Sequence, residues 1–134
     1  MSNSIFVPPV PENEPVKNYL PGSPEKLELK AKLEELKKQT IEIPIIIGGK
    51  EIKTGDMGEC RIPHNHKHLL GTYHKAGAKE VEAAAQAAKE AKKDWSEMPW
   101  ESRAAIFLKA AELLTGRHRA TLNAATMLAQ SKTC

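Results

Sequence analysis

Apolar positions change their spacing along the chain, and each change marks a different kind of element. From Glu25 to Gln39, EKLELKAKLEELKKQ places Leu29, Leu33 and Leu36 at i, i+4 and i+7. That spacing predicts one apolar stripe on a strongly charged helix. Ser23-Pro24 is a good opening for it, with the serine expected to cap and the proline in the first turn. The character then changes abruptly: IEIPIIIGGKEIKTG is rich in β-branched residues and is interrupted by Gly48-Gly49. Two glycines there supply the positive φ of a two-residue hairpin turn. Pro44 removes a ladder donor, so its strand is expected at an edge or with a late start. ECRIPHNHKHLLGTYHKAG carries Arg61-Ile62 and Leu69 to Tyr73 on either side of a Pro63-to-His66 turn. Together these segments predict a small antiparallel sheet from Ile41 to Tyr73.

Helical spacing returns after the sheet. Lys79 to about Lys93 presents Val81, Ala84, Ala85, Ala88 and Ala91, a narrow face that permits close approach of a helix or a sheet. Pro99 opens a helix whose apolar face comprises Trp100, Ala104, Ile106, Phe107, Ala110, Ala111 and Leu114, and Gly116 ends it. A last helix from about Arg117 carries Leu122, Ala125, Met127 and Leu128. Ahead of all this, residues 1–22 hold Pro8, Pro9, Pro11, Pro15 and Pro21 among Asn and Glu. They read as an extended, proline-rich arm, because proline fixes φ and removes donors.

Composition narrows the function classes. A chain of 134 residues with 40% hydrophobic and only 4% aromatic residues suits one small domain, or part of a larger one, with a core of Ala, Leu and Ile. The net charge of +3 is mild and its Lys and Arg are interleaved with Glu, which argues against nucleic acid as a partner. Two cysteines, Cys60 and Cys134, make no disulfide framework. No apolar run approaches the roughly 20 residues of a membrane span. The start, MSNSIFVPPVPENEP, lacks a basic n-region and a long apolar stretch, and also the arginines of a presequence. The expectation is a soluble protein in a reducing compartment, the cytoplasm, or the mitochondrial matrix for a eukaryotic source.

Taken singly, the chemistry-bearing residues assemble no active site. His64, His66 and His68 would line one face of a strand as a metal patch. Pro63 and Asn65 favour a turn instead, in which the imidazoles fan out. Cys134 lacks any following residues to build a nucleophile elbow, and Cys60 reads as a small buried hydrophobe. Gly48-Gly49 has neither the spacing nor the following helix of a phosphate loop. Trp95 and Trp100 flank a helix junction and read as packing residues. No catalytic, cofactor-binding or metal-binding residue is assigned.

The order of the pieces says more than any one of them. After the arm and the Gly48-Gly49 hairpin come a P-x-N turn, EVEAAAQAAKEAKKDW, SRAAIFLKAAELL and a terminal QSKT. This order resembles the amino-terminal segment of the aldehyde dehydrogenase superfamily, with its A-x-x-A…W and R-x-x-x-L-x-x-x-A-x-x-L helices. Within it the chain is most similar to the Δ1-pyrroline-5-carboxylate (L-glutamate γ-semialdehyde) dehydrogenase family. The residues that carry this are NEPVKNYLPGSPEKLELKAKLEELKKQTIEIPIIIGGKEIKTG, PHNHKH and RAAIFLKAAELLTGRHRATLNAATMLAQSKT.

The resemblance implies an α/β fold, here an α+β portion in which residues 23–134 are an incomplete amino-terminal part of the cofactor domain. It implies a truncation point at Thr133-Cys134, with Ser131 standing where the family has glycine. For the complete enzyme it implies NAD as cofactor, a cysteine thiolate attacking the aldehyde, hydride passing to NAD+, and a glutamate activating water. The family's G-Q-x-C, E-L-G-G-K and F-T-G-S motifs do not occur in the 134 residues. The expectation is an inactive piece that binds no cofactor and associates, through exposed helix faces, with itself or with full-length subunits. The alternatives are a non-catalytic interaction module and an independent metal- or nucleic-acid-binding domain.

Overall fold

A computed structural model describes residues 5–134. The elements run α1 (Pro24–Lys37), β1 (Ile41–Ile43), β2 (Ile45–Ile47), β3 (Lys50–Ile52), β4 (Met57–Ile62), β5 (Asn65–His74), α2 (Ala78–Glu97), α3 (Trp100–Thr115) and α4 (Arg119–Gln130). Residues 1–4 of the arm lie outside the described residues, and residues 5–20 adopt neither helix nor strand. The root of the arm is tied to α4. The Arg119 Nη1 group donates to the Pro15 carbonyl at 3.1 Å and lies 3.4 Å from the Glu14 carboxylate. Asn123 Nδ2 donates to the Tyr19 hydroxyl at 3.0 Å.

The helix stripe of α1 lies where its spacing puts it. Leu29 is buried and Leu33 and Leu36 are half-buried, with α1 packed along α4. Its opening differs from expectation. The Ser23 hydroxyl makes no capping bond and is buried without a partner. The Ser23 backbone carbonyl instead accepts from Lys26 and Leu27 at 3.1 and 3.0 Å, so the backbone alone starts the helix.

The expected single antiparallel sheet is two sheets, and the cause is Pro44. With no N–H to give and a fixed φ, Pro44 divides the isoleucine run into two strands that serve different sheets. On one side, β2 pairs with β3 across Gly48-Gly49, with Ile47 opposite Lys50 and both glycines at positive φ, 55° and 75°. On the other, β1 runs parallel to β5 with Ile41 opposite Gly71, and β4 flanks β5 antiparallel, giving the order β1-β5-β4. The β4–β5 turn is tighter than expected. Only Pro63-His64 lie between Ile62 and its partner Asn65, so His66 and His68 belong to β5.

The helices follow their patterns with shifted ends. The second helix extends at both ends, to Ala78 and Glu97, and Gly77 N–H is taken by the Glu80 carboxylate at 2.8 Å. The last helix starts two residues late because Gly116 to His118 form a turn. Among the described residues the buried apolar side chains are Leu29, Ile62, Ala124 and Leu128, where α1, α4 and β4 meet. Neither α2 nor α3 buries a residue. The chain presents 10565 Å² to solvent, whereas a compact monomer of its mass exposes about 7,000 Å².

Candidate functional site

The structure separates the residues that a metal or a nucleophile would need together. His64 sits in the β4–β5 turn with Nδ1 2.8 Å from the Ser131 hydroxyl, while His66 is exposed and His68 half-buried along β5. No group of three His, Cys, Asp or Glu side chains is close enough to hold a metal among the described residues. The contact with Ser131 ties the QSKT segment to the turn. Ser131 adopts φ 54° and ψ 35°, a left-handed conformation that glycine takes at no steric cost. That is the physical reason for a glycine preference at such a position.

Cys60 lines an open groove of about 180 Å³ between the three-stranded sheet and α4. Leu36, Ile41, Ile43, Leu70 and Leu128 form most of its wall, and no titratable side chain besides the thiol lines it. A thiol in such surroundings has no base to activate it. Cys134 borders a second cleft with Tyr19, Asn123, Thr126 and Lys132, again without a histidine or carboxylate.

Neither the Gly48-Gly49 turn nor the start of α2 is built like a dinucleotide-phosphate site. The Gly48-Gly49 turn joins two strands, where a phosphate site needs a strand-to-helix turn with free N–H groups. The start of α2 carries a carboxylate on its Gly77 N–H, which repels an anion.

A polar cluster that joins three segments of the described residues lies elsewhere, around His74 at the end of β5. Its side chain is only 4% exposed. Nε2 lies 2.9 Å from Glu42 Oε1 on β1, and Nδ1 lies 3.2 Å from Gly55 N in the β3–β4 loop. Lys53 Nζ reaches the same Glu42 oxygen at 2.9 Å. The hydrogen bond from His74, and then that from Lys53 with its charge, hold the Glu42 carboxyl below its ordinary range. Reciprocally, the hydrogen bond to Glu42 and its charge raise the Lys53 ammonium. Sequence reading passed over His74, because the spacing of His64, His66 and His68 drew attention to the exposed end of the same strand. Only its place at the end of an apolar strand hinted at burial.

No helix among the described residues is long and apolar enough to cross a membrane. A profile of the Aldehyde dehydrogenase family matches residues 52–134, more than half of the chain. A Delta-1-pyrroline-5-carboxylate dehydrogenase of Agaricus bisporus is 47% identical over 127 residues, which are 94% of this chain and 23% of that protein. A mitochondrial protein of the same name from Dictyostelium discoideum is 42% identical over 93% of this chain and 22% of its own length. The crystal structure of the Mycobacterium tuberculosis Delta-pyrroline-5-carboxylate dehydrogenase bound with NAD and cobalamin superposes with a TM-score of 0.91 and 42% identity, over 96% of this chain and 24% of that one. The chain thus spans about a quarter of the length of these relatives. The split sheet, the hairpin and the helices correspond to an amino-terminal segment of that fold, and the chain belongs to the aldehyde dehydrogenase family.

Proposed function

We propose that the chain is the amino-terminal part of an NAD-dependent L-glutamate γ-semialdehyde dehydrogenase, acting in the conversion of proline to glutamate, and that this part does no chemistry alone. Its role is to buttress the rest of the enzyme. The observation that carries the reading is the pairing of 47% identity across 94% of the chain with coverage of only 23% of the relative. Two helices that bury nothing give it physical support. On α2, Val81, Ala88 and Trp95 recur every seven residues, and on α3 Trp100, Phe107 and Leu114 do the same. Val81 is 63% and Phe107 66% exposed. Such stripes stay dry only against a further layer, which the remainder of a longer enzyme would supply. The relatives named mitochondrial, such as that from Dictyostelium, favour the matrix for a eukaryotic source, and the cytoplasm is the setting otherwise.

The test is direct. The purified chain, incubated with NAD+ and glutamate semialdehyde, is expected to produce no NADH above a blank, since neither thiol has a base beside it. Turnover that disappears with Cys60→Ala or Cys134→Ala overturns the reading. The exposed stripes also favour a second reading, a non-catalytic module that binds full-length subunits or itself. Uncovering several hundred Å² of apolar surface forfeits roughly 10 kcal/mol at about 25 cal/mol per Å², comparable with the whole stability of a domain. Light scattering is therefore expected to show self-association, and a hydrophobic dye to bind. A clean monomer with a sharp melt and no dye binding would mark a self-sufficient domain and argue against both readings, because no apolar face would then need a cover.

A further inference from the structure

We propose that His74 is a proton-sensitive latch between the two sheets. Neutral, with its proton on Nε2, it ties β1 to the β3–β4 loop, and protonation at Nδ1 frees the Gly55 corner of that loop. The tautomer follows from geometry. The Gly55 N–H can only donate, and it points at Nδ1 from 3.2 Å, so Nδ1 must offer its lone pair. The ring proton then sits on Nε2 and is donated to Glu42 Oε1 at 2.9 Å. The imidazole is almost fully covered, so these two partners supply its hydrogen bonds.

Protonation changes the two ends of the ring differently. At Nε2 the bond to Glu42 survives and gains charge. At Nδ1 an acceptor becomes a donor facing another donor, and the Gly55 N–H loses its partner. Gly55 is at φ +81°, a conformation that glycine takes without steric cost. The charged groups around the ring are Glu42 from β1, Lys53 and Asp56 from the β3–β4 loop, and Lys75 just beyond β5. Lys79 and Glu80 of α2 border the same recess as Lys53 and Lys75. Most are already matched: Lys53 with Glu42 at 2.9 Å and Lys75 with Asp56 at 3.1 Å. Glu42 thus has its charge shared before His74 gains one. The loop keeps three ties to Lys75: the Thr54 hydroxyl donates to its carbonyl at 3.0 Å, its N–H donates to Asp56 O at 2.8 Å, and its ammonium pairs with the Asp56 carboxylate at 3.1 Å. Release is therefore local: the Gly55 corner opens while β1 stays paired with β5. This corner lies between the β2–β3 hairpin and the three-stranded sheet, and the proton sets how tightly it is held.

The experiment is nitrogen-15 NMR of the 134-residue chain across a pH series, reading the His74 ring nitrogens and amide exchange together. The neutral ring is expected to show the proton on Nε2. As His74 becomes charged, Gly55 exchange, corrected for its intrinsic pH dependence, is expected to accelerate about three- to tenfold, while the β1 amides keep their protection. In His74→Asn, whose amide oxygen can accept from Gly55 but cannot titrate, the acceleration is expected to vanish. A neutral ring protonated on Nδ1 overturns the proposal. So does Gly55 exchange that ignores the charging of His74, or an equal acceleration in the asparagine variant. Should that variant unfold, the tautomer and the exchange of the unaltered chain decide the matter.

Discussion

Gly71→Ala tests the parallel pairing that the sequence did not foretell. Gly71 is buried on β5 opposite Ile41, and its φ lies outside the left-handed range, so the effect of an alanine is steric. A Cβ at position 71 would lie 2.5 Å from the Ile41 carbonyl oxygen and 2.7 Å from Ile41 Cγ1. Ordinary contact begins at 3.4 Å, so β1 must retreat by about 0.9 Å in a close-packed setting. A retreat of that size carries inter-strand hydrogen bonds from about 2.9 Å past their useful limit of about 3.2 Å. Because β1 is only three residues long, it has no distant bonds to hold it in place. Overpacking of this kind costs about 1–3 kcal/mol, and β1 also carries Glu42, the partner of His74. Exchange of the β1 amides is expected to accelerate about five- to 150-fold, the same energy expressed as an opening equilibrium. Gly58→Ala is the control. Its Cβ would meet the Tyr73 ring, but that ring is partly exposed and can swing aside. Unchanged β1 exchange in Gly71→Ala, or a larger effect from Gly58→Ala, would refute the reasoning.

The depressed Glu42 carboxyl contributes stability that is fully present above its ordinary pKa of 4.5. That contribution is lost as pH falls through the lower folded value, so the acid limb of the chain's stability should flatten in Glu42→Gln. The raised Lys53 ammonium works in the opposite direction, stabilising below 10.5 and losing its effect as pH rises through the higher folded value; Lys53→Met should flatten the alkaline limb. His64, His66 and His68 should bind zinc no better than scattered surface histidines, as calorimetry can check; a stoichiometric submicromolar complex lost in His66→Ala would contradict their separation. Arg119→Ala removes the tie to Pro15 and Glu14 and should speed protease cleavage of the arm severalfold, with about 1 kcal/mol lost from the fold.

Elements set by local chemistry were legible in the sequence, and those set by long-range pairing were not. Gly48-Gly49 announced a hairpin because only glycine takes two successive positive φ values cheaply. Leu29, Leu33 and Leu36 announced a buried stripe because helical spacing puts them on one face. The partner of Ile41–Ile43 had no local signature. Its parallel pairing with β5 depends on Gly71, which lies thirty positions along the chain and reads by itself as a strand interruption. His74 was hidden for the same reason: its partners Glu42 and Gly55 come from two other segments. Ser23 shows the reverse failure, a favourable capping residue whose hydroxyl the fold leaves unused.

The orientation of α2 carries the structural argument one step further. Where α2 meets the hairpin, Ala87 lies against Gly48, whose Cβ would sit 3.7 Å from the Ala87 methyl. At about 100° per residue, Ala87 is rotated some 120° from Val81, about 100° from Ala88 and about 80° from Trp95, so it lies off the Val81-Ala88-Trp95 stripe. The helix therefore uses an alanine edge to approach the sheet and keeps its bulkiest apolar side chains on another face. On that side Trp95 meets Phe107 of α3 edge-on, with ring centroids 6.4 Å apart. This contact joins the two stripes at Trp95 and Phe107, on a side of α2 other than the Ala87 edge. A helix pair patterned in this way fits a middle layer, with the hairpin on one side and a further layer on the other. The proposed buttress role rests on that geometry as much as on identity to longer relatives. It would fail if Trp95→Lys together with Phe107→Lys left dye binding and self-association unchanged, because the surface would then not be the one that needs covering.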